Sequence, residues 1–114
     1  MPESRRHKQL KTRDARSTGW VEYVLPSGRR LDALSPTRIA TEIERGGISG
    51  IRKSIRTLKE AVRTKIARKS RLRVPHKDLD IAYKEMRRQG LGGELTNLGG
   101  TVKIIVPRRR KRRG

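Results

Sequence analysis

Residues 27–45 read SGRRLDALSPTRIATEIER, and the folding of this stretch decides how the rest of the chain is arranged. Ser27-Gly28 is a turn signal, Arg30 to Leu34 alternates like a strand, Ser35-Pro36-Thr37 is a second turn, and Arg38 to Glu44 reads as another strand. The stretch therefore predicts a β-hairpin. Successive strand side chains point to opposite faces, so Ala40, Glu42 and Glu44 share one face and Ile39, Thr41 and Ile43 the other. Asp32, set between Leu31 and Ala33, leaves its strand on the face opposite to theirs, and a tight connection brings it beside Glu42. Acids that converge in a strongly basic chain repel one another unless a cation lies between them, which makes a divalent metal ion the expected occupant.

The setting of those acids is unusual. The 114 residues carry 31 Lys and Arg against 11 Asp and Glu, a net charge of +20, so a polyanion is the expected partner and nucleic acid the commonest one. Without the basic residues of the two ends, and without Glu3 and Asp14, 19 basic and 9 acidic residues remain, so the centre of the chain still carries +10. No cysteine is present, which excludes disulfides and thiolate metal sites. No long apolar run and no apolar leader segment are seen, so neither a membrane partner nor secretion is expected, and the chain is expected to act in a cytoplasm. Trp20, Tyr23 and Tyr83 are the only aromatic residues, too few for a stacking platform, which points to contact with the sugar-phosphate backbone.

Outward from the hairpin, residues 1–19 form a basic arm or helix, with helix over about Glu3 to Ala15. Residues 20–106 form an α/β core, and residues 107–114 a basic tail expected to be disordered in isolation. WVEYVLPSG from Trp20 predicts a strand, with Glu22 as a further candidate acid or a solvated strand residue. After Gly46-Gly47, Ser49 reads as the N-cap of a helix to about Lys69, with Ile48, Ile51, Ile55, Leu58, Val62 and Ile66 at helical spacing. Arg52, Lys53, Arg56, Lys59, Arg63, Lys65, Arg68 and Lys69 cover its other faces with one acid, Glu60, among them, which suits a phosphate-facing stripe; Arg108, Arg109 and Arg110 of the tail are further candidates for binding nucleic acid. Arg71 to Pro75 predicts a short strand. Asp78 and Asp80 fall in the first turn of a helix that stops at Gly90, a capping role, and His76 before it is a loop histidine. LGGELTNLGG reads as glycine-punctuated turns and TVKIIVP as a closing strand.

The order helix, three strands, helix, strand (αβββαβ), with an acid on the second strand and two acids two residues apart on the third, resembles the PD-(D/E)xK, or restriction-endonuclease-like, nuclease superfamily over about Trp20 to Val106. The resemblance implies a central mixed sheet flanked by helices and a metal-dependent nuclease acting on DNA or structured RNA. It places Asp32 at the D position, Glu42 first in the ExK triplet and Glu44 last, as catalytic residues. It also implies Mg²⁺, or alternatively Mn²⁺, on Asp32 and Glu42, with Glu22 as an added ligand. Two positions depart from the pattern: Leu31 stands where Pro is usual, and EIE replaces ExK. ExE occurs in some restriction enzymes of the superfamily, where the second Glu serves as general base or further ligand. Arg45 points to the other face, whereas Arg52 or Lys53 could reach back toward the site. Small size and basicity also resemble the nuclease domains of bacterial toxins, which implies an acidic immunity or inhibitor protein. The alternative is a noncatalytic DNA- or RNA-binding protein, with Glu42 and Glu44 on the solvated face of an edge strand beside Arg30 and Arg38.

Overall fold

The computed structural model describes residues 5–15 and 19–108. The elements run α1 (Arg5–Ala15), β1 (Trp20–Val24), β2 (Arg30–Leu34), β3 (Ile39–Ile43), α2 (Gly47–Arg63), β4 (Lys69–Val74), a 3-10 turn (His76–Asp78), α3 (Leu79–Gln89), β5 (Gly93–Asn97) and β6 (Lys103–Val106). This is a mixed α/β fold that contains the expected αβββαβ order. The six strands lie in one sheet in sequence order, antiparallel through β1–β2–β3, parallel through β3–β4–β5 and antiparallel again at β5–β6.

Both hairpin turns form as their residues dictate. Gly28 takes φ 94° in the β1–β2 turn, and the Ser35-Pro36-Thr37 turn closes through Ser35 N–H to the Ile39 carbonyl at 3.0 Å. The core holds Ile51, Ile55 and Leu58 of the predicted stripe together with Ala61, laid against Leu34, Ala40, Leu72 and Val74 of the sheet and Ala82 and Met86 of α3, whereas Val62 and Ile66 of that stripe are partly buried and Ile48 is exposed. Each fully buried Leu or Ile there is worth about 1.5–3 kcal/mol relative to exposure. Helix α1 packs on β1, β2 and β3 and buries Leu10, so the arm is docked on the sheet over residues 5–15.

Several boundaries differ from the sequence reading. Helix α2 starts at Gly47 with Gly46 in the N-cap position, and Ser49 lies inside its first turn. It ends at Arg63 and not at Lys69, because the Thr64 hydroxyl bonds back to the Glu60 carbonyl at 2.7 Å and Lys65 turns left-handed at φ 63°. The segment read as glycine-punctuated turns holds β5, paired in parallel to β4 and burying Leu95 completely. Gly93 makes that approach feasible: it has φ 146°, and a Cβ there would stand 2.7 Å from the Ser70 carbonyl oxygen. Asp78 occupies the N-cap position of α3 without a side-chain cap bond, while Asp80 pairs with Lys84 one turn on at 3.1 Å. Strand β3 is interior to the sheet and Glu42 is only 7% exposed, so the edge-strand alternative with solvated Glu42 is corrected. The tail expectation and Arg109 and Arg110 lie outside the described residues.

Candidate active site

Strands β2 and β3 pair in register only at Ala33 with Thr41 and at Leu34 with Ala40, next to the turn. One residue further on, Asp32 and Glu42 stand abreast, and there carboxylates take over the backbone pairing. The Asp32 N–H donates to Glu42 Oε2 at 2.8 Å, and the Ile43 N–H donates to Asp32 Oδ2 at 2.7 Å. Two acids thus sit at a fork in the sheet. Strand β3 meanwhile stays paired with β4 along its whole length, so the fork has one rigid arm.

The electrostatics single out this pair. Burial, and next the Asp32 carboxylate beside it, hold the Glu42 carboxyl well above the usual range; the Asp32 backbone N–H acts in the opposite direction. Three other described acids are shifted, and all go down. The Ser27 hydroxyl and N–H lower Glu60, and Arg88, with Gln89 and Arg52, brings Glu85 to about 2. Burial alone would raise Glu94, but the hydrogen bonds from Arg71 and Lys103 outweigh it. Those acids hold the fold together through donors. Glu42 is held against another acid, an arrangement that a cation between the two would relieve.

Helix α1 brings an imidazole and an ammonium group beside Asp32, and the sequence reading missed them. His7 Nε2 lies 3.5 Å and Lys11 Nζ 3.7 Å from Asp32 Oδ1, and Lys11 is only 5% exposed. The signal was available: His7 and Lys11 are four apart and flank Leu10, so one helical turn directs all three toward the sheet. In a segment read only for its charge, that pattern was hidden by the other basic residues.

The remaining candidates divide. Glu44 is drawn to the start of α2, where Oε2 accepts from the Gly46 N–H at 2.6 Å and Oε1 from the Ser54 hydroxyl at 3.0 Å. This carboxylate satisfies a donor that a helix start leaves unpaired. Glu22 is exposed on β1, at φ 52°, and meets Lys11 Nζ at 3.6 Å, so it reaches Asp32 only through that ammonium. Arg52 faces α3, its Nε 3.4 Å from Glu85 Oε1, and does not reach back to the acids; Lys53 is exposed. Arg56, Lys59, Arg63 and Arg108 are all exposed, and His76 is exposed beside α3.

Compared with models of known protein families, with curated proteins and with solved structures, the chain matches none.

The donor set can be weighed against a metal ion directly. Mg²⁺ takes oxygen ligands and is commonly held by one or two carboxylates while retaining waters. Asp32 and Glu42 are such a pair, and the strain on Glu42 is what a bound divalent cation would remove. Among the described residues, no group of three or more His, Cys, Asp or Glu stands close enough to form a fuller cage.

Proposed function

We propose that the chain is a metal-dependent nuclease that hydrolyses phosphodiester bonds of DNA or structured RNA, of the PD-(D/E)xK type in its ExE form. The observation that carries this reading is the Asp32–Glu42 pair: two carboxylates in contact at a fork of the sheet, one with its pKa driven upward, in a chain of net charge +20. A binding protein gains nothing from such a pair, since each negative charge near the phosphate weakens attraction.

In this reading Asp32 and Glu42 hold Mg²⁺ or Mn²⁺. The ion supplies Lewis acidity and a water of lowered pKa. Helix α1 keeps Asp32 oriented through His7 and Lys11, and Lys11 contributes a fixed positive charge beside the scissile phosphate, which the EIE triplet itself lacks. Buried Glu42 stays aligned through the Asp32 N–H. The exposed Arg56, Lys59 and Arg63 of α2 hold the nucleic-acid backbone and reduce its freedom to move.

One observation favours a second reading. Glu44, the second acid of the triplet, is bound to Gly46 and Ser54 in a capping role, as a noncatalytic nucleic-acid-binding protein would have it. The high positive charge also suits capture by an acidic inhibitor protein, the partner expected if the chain acts as a toxin in the cytoplasm of a target cell. The two main readings separate when purified protein is incubated with plasmid DNA and, in parallel, with total tRNA, in magnesium, in manganese and in EDTA. The nuclease cuts one substrate only with metal. Shifted but intact nucleic acid in every condition supports the binding protein.

A further inference from the structure

A groove of about 1110 Å³ opens where β3 and β4 begin. Its floor includes Ile39, Val62, Leu91 and Val106, and its rim carries Lys59, Arg63, Lys65, Arg68, Lys69 and Arg108. Among the described residues Glu94 is the one acid lining it, and that acid is already engaged by Arg71 and by Lys103 Nζ at 3.0 Å. None of Asp32, Glu42 and Glu44 lines the groove. Glu42 lies three residues along β3 from Ile39, about 10 Å at the rise of a strand, so groove and carboxylate pair are separate places on one sheet.

The backbone marks the same rim independently. Lys65 adopts φ 63°, a left-handed conformation that crowds any side chain with a Cβ and is ordinarily given to Gly or Asn. Arg38 does the same at φ 64°, and its carbonyl accepts the Arg68 N–H at 2.8 Å, which fixes the loop carrying Lys65, Arg68 and Lys69. Lys65 is the left-handed residue that ends α2, so the turn holds Lys65, Arg68 and Lys69 at fixed places on the rim. The rim also continues outward. Arg56, Lys59 and Arg63 follow one another by three and four residues, so one exposed stripe of α2 leads into the groove.

We propose that this groove binds a short single-stranded stretch of nucleic acid, with phosphates on the Lys and Arg rim and an unpaired base against Ile39, Val62 and Leu91. A line of like charges suits a repeating phosphate chain. The apolar floor selects single strands, because bases paired in a duplex cannot turn their faces onto it, whereas an unpaired base can. The apolar side chains of the floor offer no hydrogen bond to a base edge, so base identity matters little. The proposal rests on the nucleic-acid part of the functional reading and not on cleavage.

The test is fluorescence anisotropy in EDTA with a labelled oligothymidylate of about twelve nucleotides, a duplex of equal length and an oligoglutamate of matched charge. Lys65→Gly relieves the left-handed backbone, so its melting temperature holds or rises. Its affinity for the single strand falls about three-fold, and the salt slope shrinks by about 0.7. The double variant Arg68→Ser, Lys69→Ser loses about twice that slope. Lys84→Gln, on the outer side of α3, removes equal charge per site and should leave binding near wild type. Three results would overturn the proposal: duplex bound as tightly as single strand, groove variants indistinguishable from Lys84→Gln, or oligoglutamate displacing the oligonucleotide at equal charge concentration. Because no metal is present, this binding test is independent of cleavage: a protein that binds here yet cleaves nothing when Mg²⁺ or Mn²⁺ is supplied refutes the nuclease reading alone.

Discussion

Replacing Glu42 with Gln should stabilise the protein at neutral and alkaline pH, although it removes a residue placed at the centre of the site. The folded-state pKa of Glu42 is raised, by burial first and by Asp32 second. The folded chain therefore prefers Glu42 protonated: the stability tied to that proton is fully present below the unfolded pKa and is lost as pH rises through the folded one. Each unit of upward shift corresponds to about 1.4 kcal/mol lost at high pH. For a domain of this size 1 kcal/mol moves Tm by about 4–8 °C. Glutamine keeps an oxygen to accept from the Asp32 N–H, which now bonds Glu42 Oε2 at 2.8 Å, and offers Asp32 an amide donor where a second acid stood. The expected result is a Tm several degrees above wild type at pH 8 in EDTA, with the gap closing toward pH 4. Thermal melts of both proteins across that range, repeated with 10 mM Mg²⁺, measure it. Magnesium at about ten times its Kd should raise the wild-type stability by about 1.4 kcal/mol and leave the variant nearly unmoved. A variant less stable than wild type at pH 8 in EDTA would refute the reasoning, because the two acids would then not be in conflict.

Glu44→Gln should lower stability by about 1 kcal/mol through the weakened bond to the Gly46 N–H at the start of α2; a cleavage rate that falls far more than this destabilisation explains would assign Glu44 a catalytic part as well. Glu85 has a folded pKa of about 2, so its contribution is present above the unfolded value and lost as pH falls through the folded one. Its partners Arg52 and Arg88 are about half exposed or more, which limits that contribution to about 1 kcal/mol, and Glu85→Gln should reduce the acid sensitivity of Tm between pH 4.5 and 2 while leaving cleavage intact. Deleting residues 108–114 should weaken nucleic-acid binding and make its salt dependence shallower; an unchanged slope would show that this segment does not touch phosphate.

The hairpin was legible because each part of it is local. Ser27-Gly28 and Ser35-Pro36 specify turns, and strand alternation together with the tight connection between the strands brings Asp32 beside Glu42. What the same alternation predicted for Glu44 was incomplete, because its side chain answers to the unpaired N–H at the start of α2, a demand that arises only once the helix is in place. Strand β5 was hidden for a related reason. Its glycines look like turn residues in sequence, and the need for Gly93 becomes visible only when Ser70 of β4 lies against it. His7 and Lys11 belong to a helix whose docking depends on Leu10, and one apolar residue among many charges gives little periodicity to read. Local chemistry thus disclosed the acids, while their positive neighbours came from long-range packing.

Whether Asp32 and Glu42 serve chemistry or structure is decided by one paired measurement: cleavage and binding of the same nucleic acid by wild type, Asp32→Ala and Glu42→Ala, with Mg²⁺ and with EDTA. A metal-dependent nuclease built on this pair gives cleavage by wild type in Mg²⁺ alone, none by either variant, and binding by both variants equal to or tighter than wild type, since a negative charge near the phosphate has been removed. Loss of binding in step with cleavage, or variants that cleave as wild type does, would contradict it.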